Sequence, residues 1–109
     1  MDLPFGQDKL ISALLRVNKN IVVIMNSGNA VTMPWVNEVP AIIQGWYLGS
    51  EAGSAIANVL SGDVNPSGKL PFSFPKKLED NAAQSFGKES YPGDGVTEKY
   101  KEDILVGYR

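Results

Sequence analysis

The chain has 109 residues, of which 43% are hydrophobic and 20% charged, and its formal net charge is −2. This composition predicts at most one soluble globular domain, which is short for a complete enzyme. The absence of Cys and His excludes disulfides, thiolate or imidazole metal sites and His-dependent catalytic triads. Without a Lys/Arg cluster or a long apolar run, neither nucleic acid nor a membrane is an expected partner.

The first part of the chain predicts a helix followed by a buried strand. From Gln7 to Val17 the apolar residues recur on one helical face, at Leu10, Ile11, Leu14 and Leu15. Ile21 to Met25 is a short and mostly β-branched run, which is typical of a strand covered on both faces. A loop follows at Asn26 to Asn29, and Pro34 predicts a short helix because proline suits the first helical turn.

A second strand, loop and helix are predicted next. Ala41 to Ile43 is an apolar run, Gly45 to Ser50 reads as a loop, and helical spacing follows as far as Leu60. Parallel strands need a crossover connection, usually with a helix. We therefore expect an α/β fold with a parallel sheet and right-handed connections.

The last third of the chain has weaker signals. Leu70, Phe72 and Phe74 alternate with prolines and serine, which predicts an edge strand. Lys76 to Lys99 has no period and predicts a long loop, and Ile104 to Tyr108 predicts a final strand. We accordingly expect a sandwich core over residues 1–75 and a loop-rich extension of the same domain over 76–109.

The loop after the second strand is the first candidate site, because ligands of open α/β sheets lie outside the carboxyl ends of the strands. It carries Trp46, Tyr47 and Glu51. Two plainer interpretations stay open. The aromatic rings can simply pack under the loop, and a carboxylate in a first helical turn complements the helix dipole.

Other motifs are less informative. Gly62 to Lys69 ends in Gly-Lys but lacks the upstream glycine and the following Ser or Thr of a phosphate-binding loop. Glycoside hydrolysis needs two carboxyl groups around the scissile bond. Four acidic residues are candidates, but no pattern indicates that any two converge: Glu51, Asp63, Glu102 and Asp103.

Four separated motifs nevertheless resemble, in order and spacing, the second, α/β sandwich domain of glycoside hydrolase family 3, the β-glucosidase and β-xylosidase family. They are Asn26-Ser27-Gly28 with Met33-Pro34-Trp35, Trp46 to Gly53, Gly62 to Pro71, and Tyr100 to Arg109. The resemblance implies a partial three-layer sandwich with a mostly parallel sheet of the flavodoxin-like type, truncated at the N-terminal side. Two positions depart from the family: Ala52 and Asp103 stand where it often has glycine.

The resemblance also implies a retaining hydrolase of β-linked glucosides or xylosides, with its active site between an N-terminal barrel and this domain. The family's aspartate nucleophile belongs to the barrel. Its acid/base glutamate lies on a loop just before a segment like Asp2-Leu3-Pro4. We therefore expect no catalytic carboxylate, metal or cofactor in this chain, which would be inactive alone, with Trp46, Tyr47 and Glu51 lining one wall of the sugar site.

A second function class stays open: a non-catalytic carbohydrate-binding or interaction module with the same fold. In either case, a sheet made only from the strands seen here would have exposed edges. We therefore expect self-association or a partner chain.

Overall fold

The computed structural model describes residues 1–108, which form two compact units. The first, here called the sheet unit, comprises Gly6–Asn29 and Trp35–Lys69. The second, here called the turn unit, comprises Met1–Phe5, Ala30–Pro34 and the chain from Leu70 onwards. Arg109 lies outside the described residues, and the division into a core at 1–75 and an extension at 76–109 stays a prediction.

The sheet unit contains the regular elements that the apolar periodicity predicts. They are α1 (Gln7–Val17), β1 (Val22–Met25), β2 (Ala41–Gln44) and α2 (Ala52–Ser61). The two strands pair in parallel, from Val22 with Ala41 to Met25 with Gln44. The predicted α/β class with a parallel sheet is therefore confirmed.

The sheet unit holds the buried apolar residues of the described chain: Ile11, Leu15, Met25, Trp35 and Val39. Ile11 and Leu15 are four positions apart on α1, so they share one face of the helix. Trp35 is only 1% exposed, and its indole Nε1–H donates to Asp8 Oδ1 at 2.7 Å. That bond satisfies the ring's one polar group and ties the β1–β2 connection to the first turn of α1.

The helix predicted at Pro34 is a single turn over residues 34–38 instead. The backbone N–H groups of Glu38 and Val39 both donate to the carbonyl of Trp35, at 2.9 and 3.3 Å. Pro40 has no N–H to extend this ladder, and β2 begins at the next residue. The crossover between the strands is consequently irregular rather than helical.

The predicted edge strand over Leu70 to Phe74 is wrong. Pro71 and Pro75 cannot donate to a ladder, and Ser73 N–H donates singly to the Gly107 carbonyl. The Phe72 and Phe74 rings stack with centroids 5.8 Å apart. The alternation therefore reflects ring packing and not strand pairing.

The strand predicted over Ile104 to Tyr108 is also wrong, because Leu105 and Val106 make local backbone bonds and the Gly107 carbonyl accepts a single bond from Ser73 N–H. Leu105 N–H donates to Glu102 and Val106 N–H to Ile104, at 2.8 and 3.0 Å, which makes turns. The stretch Lys76 to Lys99, predicted as a loop, contains a 3₁₀ turn at Leu78–Asp80 and the one-turn helix α3 (Ala82–Ser85). Such short pieces have no detectable period.

Asp103 adopts a left-handed backbone, with φ 48°. Glycine reaches this region without steric cost, whereas other residues are strained there, Asp and Asn less than most. The departure from the family's glycine at this position thus falls where the backbone favours glycine.

Candidate functional site

A depression of about 230 Å³ lies at the carboxyl ends of β1 and β2, beside the start of α2. This is the position at which ligands bind open α/β sheets. Its wall combines the end of β1, the loop after β2 and the first turns of α2, through Ile24, Met25, Asn26, Gly45, Tyr47, Leu48, Gly49, Ala52 and Ile56.

The backbone after β2 is shaped to present this loop. Gly45 N–H donates to the Met25 carbonyl at 2.8 Å, which continues the interstrand bonding one residue beyond the strand. Trp46 then takes φ 53°, an uncommon conformation for a bulky residue. Strain of this kind persists only where the surroundings enforce it, and it clusters at binding and catalytic loops.

The three residues predicted to contact sugar occupy different places. Tyr47 lies in the wall of the depression and is 80% exposed. Trp46 is partly buried and does not line it, and Glu51 is exposed at the end of the 3₁₀ turn Gly49–Glu51, where its side chain does not cap α2. Their role in sugar binding stays a prediction.

Sequence reasoning missed two parts of the wall. Asn26 is the first residue after β1, and the strand-end rule that selected Tyr47 applies to it equally. Ala52 and Ile56 are four positions apart in α2, so helical spacing already placed them on one face. The sequence carries a signal in both cases, although the loop after β1 is predicted above only as a connection.

The wall is mostly apolar, with the Asn26 amide and the Tyr47 hydroxyl as its polar side-chain groups. An aromatic ring beside a few polar groups is the usual composition of a small-molecule site. At about 230 Å³, however, the depression is smaller than the roughly 300–1,000 Å³ of complete ligand pockets. It has the dimensions of one side of a binding site.

Among the carboxyl groups of residues 1–108, those of Glu89 and Asp94 have displaced pKa values, and both lie in the turn unit. Hydrogen bonds from Lys101 and Lys99 lower the pKa of Glu89, and backbone N–H groups of Thr97 and Val96 lower the pKa of Asp94. A general acid needs a raised pKa, so neither shift is in the direction of acid catalysis. Within residues 1–108, no cluster of three or more His, Cys, Asp or Glu is arranged to hold a metal ion.

A larger depression, of about 400 Å³, lies in the turn unit. Its acidic residue, Asp80, is engaged locally, because Oδ2 accepts from the Lys77 backbone N–H at 3.3 Å and Oδ1 lies 4.0 Å from Lys77 Nζ. The residues that line this depression include neither a strand end nor an aromatic side chain. The smaller depression of the sheet unit is therefore the better candidate.

None of the helices over residues 1–108 combines the length and hydropathy needed to cross a membrane.

The family model for the glycosyl hydrolase family 3 C-terminal domain matches residues 1–108.

Named relatives and solved structures match along nearly all of the chain. Beta-glucosidase BoGH3A of Bacteroides ovatus is 66% identical over 99% of the chain, and Probable beta-glucosidase J of Aspergillus fumigatus is 50% identical over 100%. The chain spans only 14% and 12% of these proteins.

Two of the solved structures are complexes with glucose. The structure of DesR, a beta-glucosidase from Streptomyces venezuelae in complex with D-glucose, superimposes with a TM-score of 0.90 at 45% identity, over 98% of this chain and 14% of that one. A beta-glucosidase from Kluyveromyces marxianus in complex with glucose gives 0.83 at 47% identity, over 99% of this chain and 12% of that one.

Proposed function

The chain belongs to the glycosyl hydrolase family 3 C-terminal domain family, and on that premise we propose that it supplies one wall of the glycoside site of a retaining β-glucosidase-like enzyme. The substrate is a β-linked glucoside or xyloside. The two reacting carboxylates, and the barrel domain that carries one of them, are supplied outside this chain.

The depression at the strand ends carries this proposal. It has the location of an α/β ligand site, an exposed aromatic ring in its wall and a volume below that of a complete pocket. Tyr47, Trp46 and Glu51 are the proposed sugar-contacting residues. Aromatic rings suit this role because the apolar side of a sugar ring can lie against them while its hydroxyl groups reach polar neighbours.

The first test is hydrolysis of a chromogenic β-glucoside by the pure chain. We expect no turnover above the buffer rate, and we expect turnover when the chain is part of a protein that also carries the barrel and the loop with the acid/base glutamate. Turnover by the chain alone that Glu51→Gln abolishes would overturn the proposal, because the acid would then lie within this sequence.

A second test measures binding directly. Titration with D-glucose should perturb the fluorescence of Trp46, and the change should disappear in Trp46→Phe, which leaves the buried Trp35 as an internal reference. Sorbitol at matched concentration controls for solvent effects. A glucose response that survives in Trp46→Phe would contradict a contact at Trp46.

We also propose that open strand edges of the sheet unit support self-association when no other domain covers them. Sedimentation or light scattering over a concentration series should show reversible dimers. A monomer at the highest soluble concentration would contradict this part of the proposal.

A further inference from the structure

Gly28, in the loop after β1, leaves space that the ring of Tyr47 occupies. A methyl group added at Gly28 would lie 2.7 Å from Tyr47 Cε2, 2.8 Å from its hydroxyl oxygen and 3.0 Å from Cζ. Real Cβ atoms do not approach other atoms this closely, so any side chain at position 28 would displace the ring. Gly28 is not among the glycines with a positive φ. A side chain at position 28 would therefore be opposed by the Tyr47 ring and not by the backbone conformation.

The loop that carries Gly28 is tied to the end of β2. Gln44 Nε2 donates to the Ser27 carbonyl at 3.0 Å and lies 3.3 Å from Ser27 Oγ, while Ser27 Oγ–H donates to the Asn29 carbonyl at 3.0 Å. Gln44 is the last residue of β2, three positions before Tyr47. The same strand end thus holds both the ring and the backbone on which the ring rests.

Gln44 has a second property that bears on its role. Its Oε1 is buried and has no hydrogen-bond partner in the described part of the chain. A buried acceptor without a donor carries a desolvation cost that offsets the gain from the donated bonds. The Gln44 side chain therefore holds the Ser27–Gly28 backbone through Nε2 at the cost of leaving Oε1 buried and unpaired within residues 1–108.

We propose that Gly28 is a positioning residue for Tyr47, held in place by Gln44, and that it thereby sets the affinity of the depression for a glycosyl group. The inference rests on the proposed function of Tyr47 as a sugar contact. An exposed side chain such as Tyr47 samples several rotamers unless a neighbour restricts it, and a ring already held in one orientation binds without that ordering cost.

The closing experiment uses NMR on the full chain. In the unsubstituted protein, Gly28 Hα should show nuclear Overhauser contacts to the Tyr47 ring protons, with the ring signals assigned by Tyr47→Leu. Gly28→Ala should shift the ring signals. Gly68→Ala is the matched control, because a methyl group there meets no atom within 4 Å. Gln44→Met should also weaken the Overhauser contacts between Gly28 Hα and the Tyr47 ring. This variant tests the same proposal if Gly28→Ala folds poorly.

The affinity arm follows the same ring signals during titration with D-glucose. Gly28→Ala and Tyr47→Leu should each raise the dissociation constant about three- to tenfold, as expected for loss of one aromatic contact, while Gly68→Ala leaves it unchanged. The positioning role would be overturned if the Tyr47 ring kept its Overhauser contacts to the Hα of residue 28 in both Gly28→Ala and Gln44→Met. It would also be overturned if the ring moved without a change in the dissociation constant for D-glucose. If D-glucose shifts no signal in the unsubstituted chain, the proposed sugar contact fails and the affinity effect fails with it. The Overhauser contacts still decide separately whether Gly28 positions the ring.

Discussion

The contacts inside the sheet unit differ in kind from the contacts inside the turn unit. The buried hydrophobic side chains of residues 1–108 lie in the sheet unit, whereas the buried polar side chain, Ser90, lies in the turn unit. Ser90 is 1% exposed, and its hydroxyl donates to Glu102 Oε2 at 2.8 Å. One unit is therefore organised by apolar burial, and the other by hydrogen bonds among turns.

This difference explains where the sequence was informative. Apolar burial leaves a periodic trace, since the helical and strand positions facing a core repeat at 3.6 and 2 residues. Hydrogen bonds among turns leave no such trace. In the turn unit, Asp94 accepts from Val96 and Thr97 N–H groups at 2.8 and 2.6 Å. One aspartate that stabilises a turn produces no repeating pattern in the sequence from which the turn could be predicted.

The largest expected effect tests whether apolar burial stabilises the sheet unit. Leu15 is 2% exposed, so Leu15→Ala should lower the free energy of unfolding by about 2–5 kcal/mol through lost burial and a cavity. Leu10 lies on the same helix but is 59% exposed, so Leu10→Ala should change it by no more than about 0.5 kcal/mol. Urea denaturation measures both, and equal effects would contradict the assignment of the core to one face of α1.

The next effect tests whether a buried hydrogen bond stabilises the turn unit. Ser90→Ala removes the donor to the partly buried Glu102 carboxylate and should cost about 1–3 kcal/mol. Ser85→Ala is the matched control, because its exposed hydroxyl donates to the carbonyl of Ala82, three residues before it, at 2.8 Å. Hydrogen exchange of the turn-unit amides reports the loss locally. Protection that is unchanged in Ser90→Ala would show that this bond does not hold the unit together.

A smaller effect, of opposite sign, is expected at Asp103. Its left-handed backbone makes Asp103→Gly stabilising by up to about 1 kcal/mol, after the entropy cost of glycine in the unfolded chain. Asp103→Ala should destabilise, since alanine tolerates this conformation less well than aspartate. Relative to the unsubstituted chain, the melting temperature should therefore rise in Asp103→Gly and fall in Asp103→Ala. A shift of both melting temperatures in one direction would be evidence against backbone strain at this position.

The smallest effect concerns pH. Lys101 Nζ and Lys99 Nζ lie 2.7 and 3.4 Å from Glu89 Oε2, and they lower the pKa of Glu89 from its ordinary value of 4.5. A lowered pKa stabilises the folded form above about pH 4.5, and the contribution is lost as the pH falls through the lowered value. Glu89→Gln should flatten stability in that acidic range. Because these side chains are exposed, about 1 M salt should reduce the difference, and a difference that salt leaves unchanged would contradict an exposed ion pair as its cause.

The bounds of α1, β1, β2 and α2 were predictable to within one residue, because the helical spacing of α1 and α2 and the short apolar runs of β1 and β2 are visible in the sequence. The strand interpretation of Phe72 and Phe74 failed because stacked rings at alternate positions imitate a pleated strand. At the candidate site, the strand-end rule located Tyr47 from sequence alone. It could not show that Gly28 lies beneath the ring, because that contact joins two loops whose approach depends on strand register.

The register of β1 and β2 also has a kinetic consequence. Every ladder pair joins residues nineteen positions apart, as Val22 and Ala41 are, so the sheet cannot begin to form until the intervening chain has closed on itself. Long-range pairing of this kind slows folding more than it affects stability, since doubling a loop adds only about 0.6 kcal/mol of closure entropy. A flexible insertion at the exposed Asn37 should therefore lengthen the folding time of the sheet unit while leaving its native register intact.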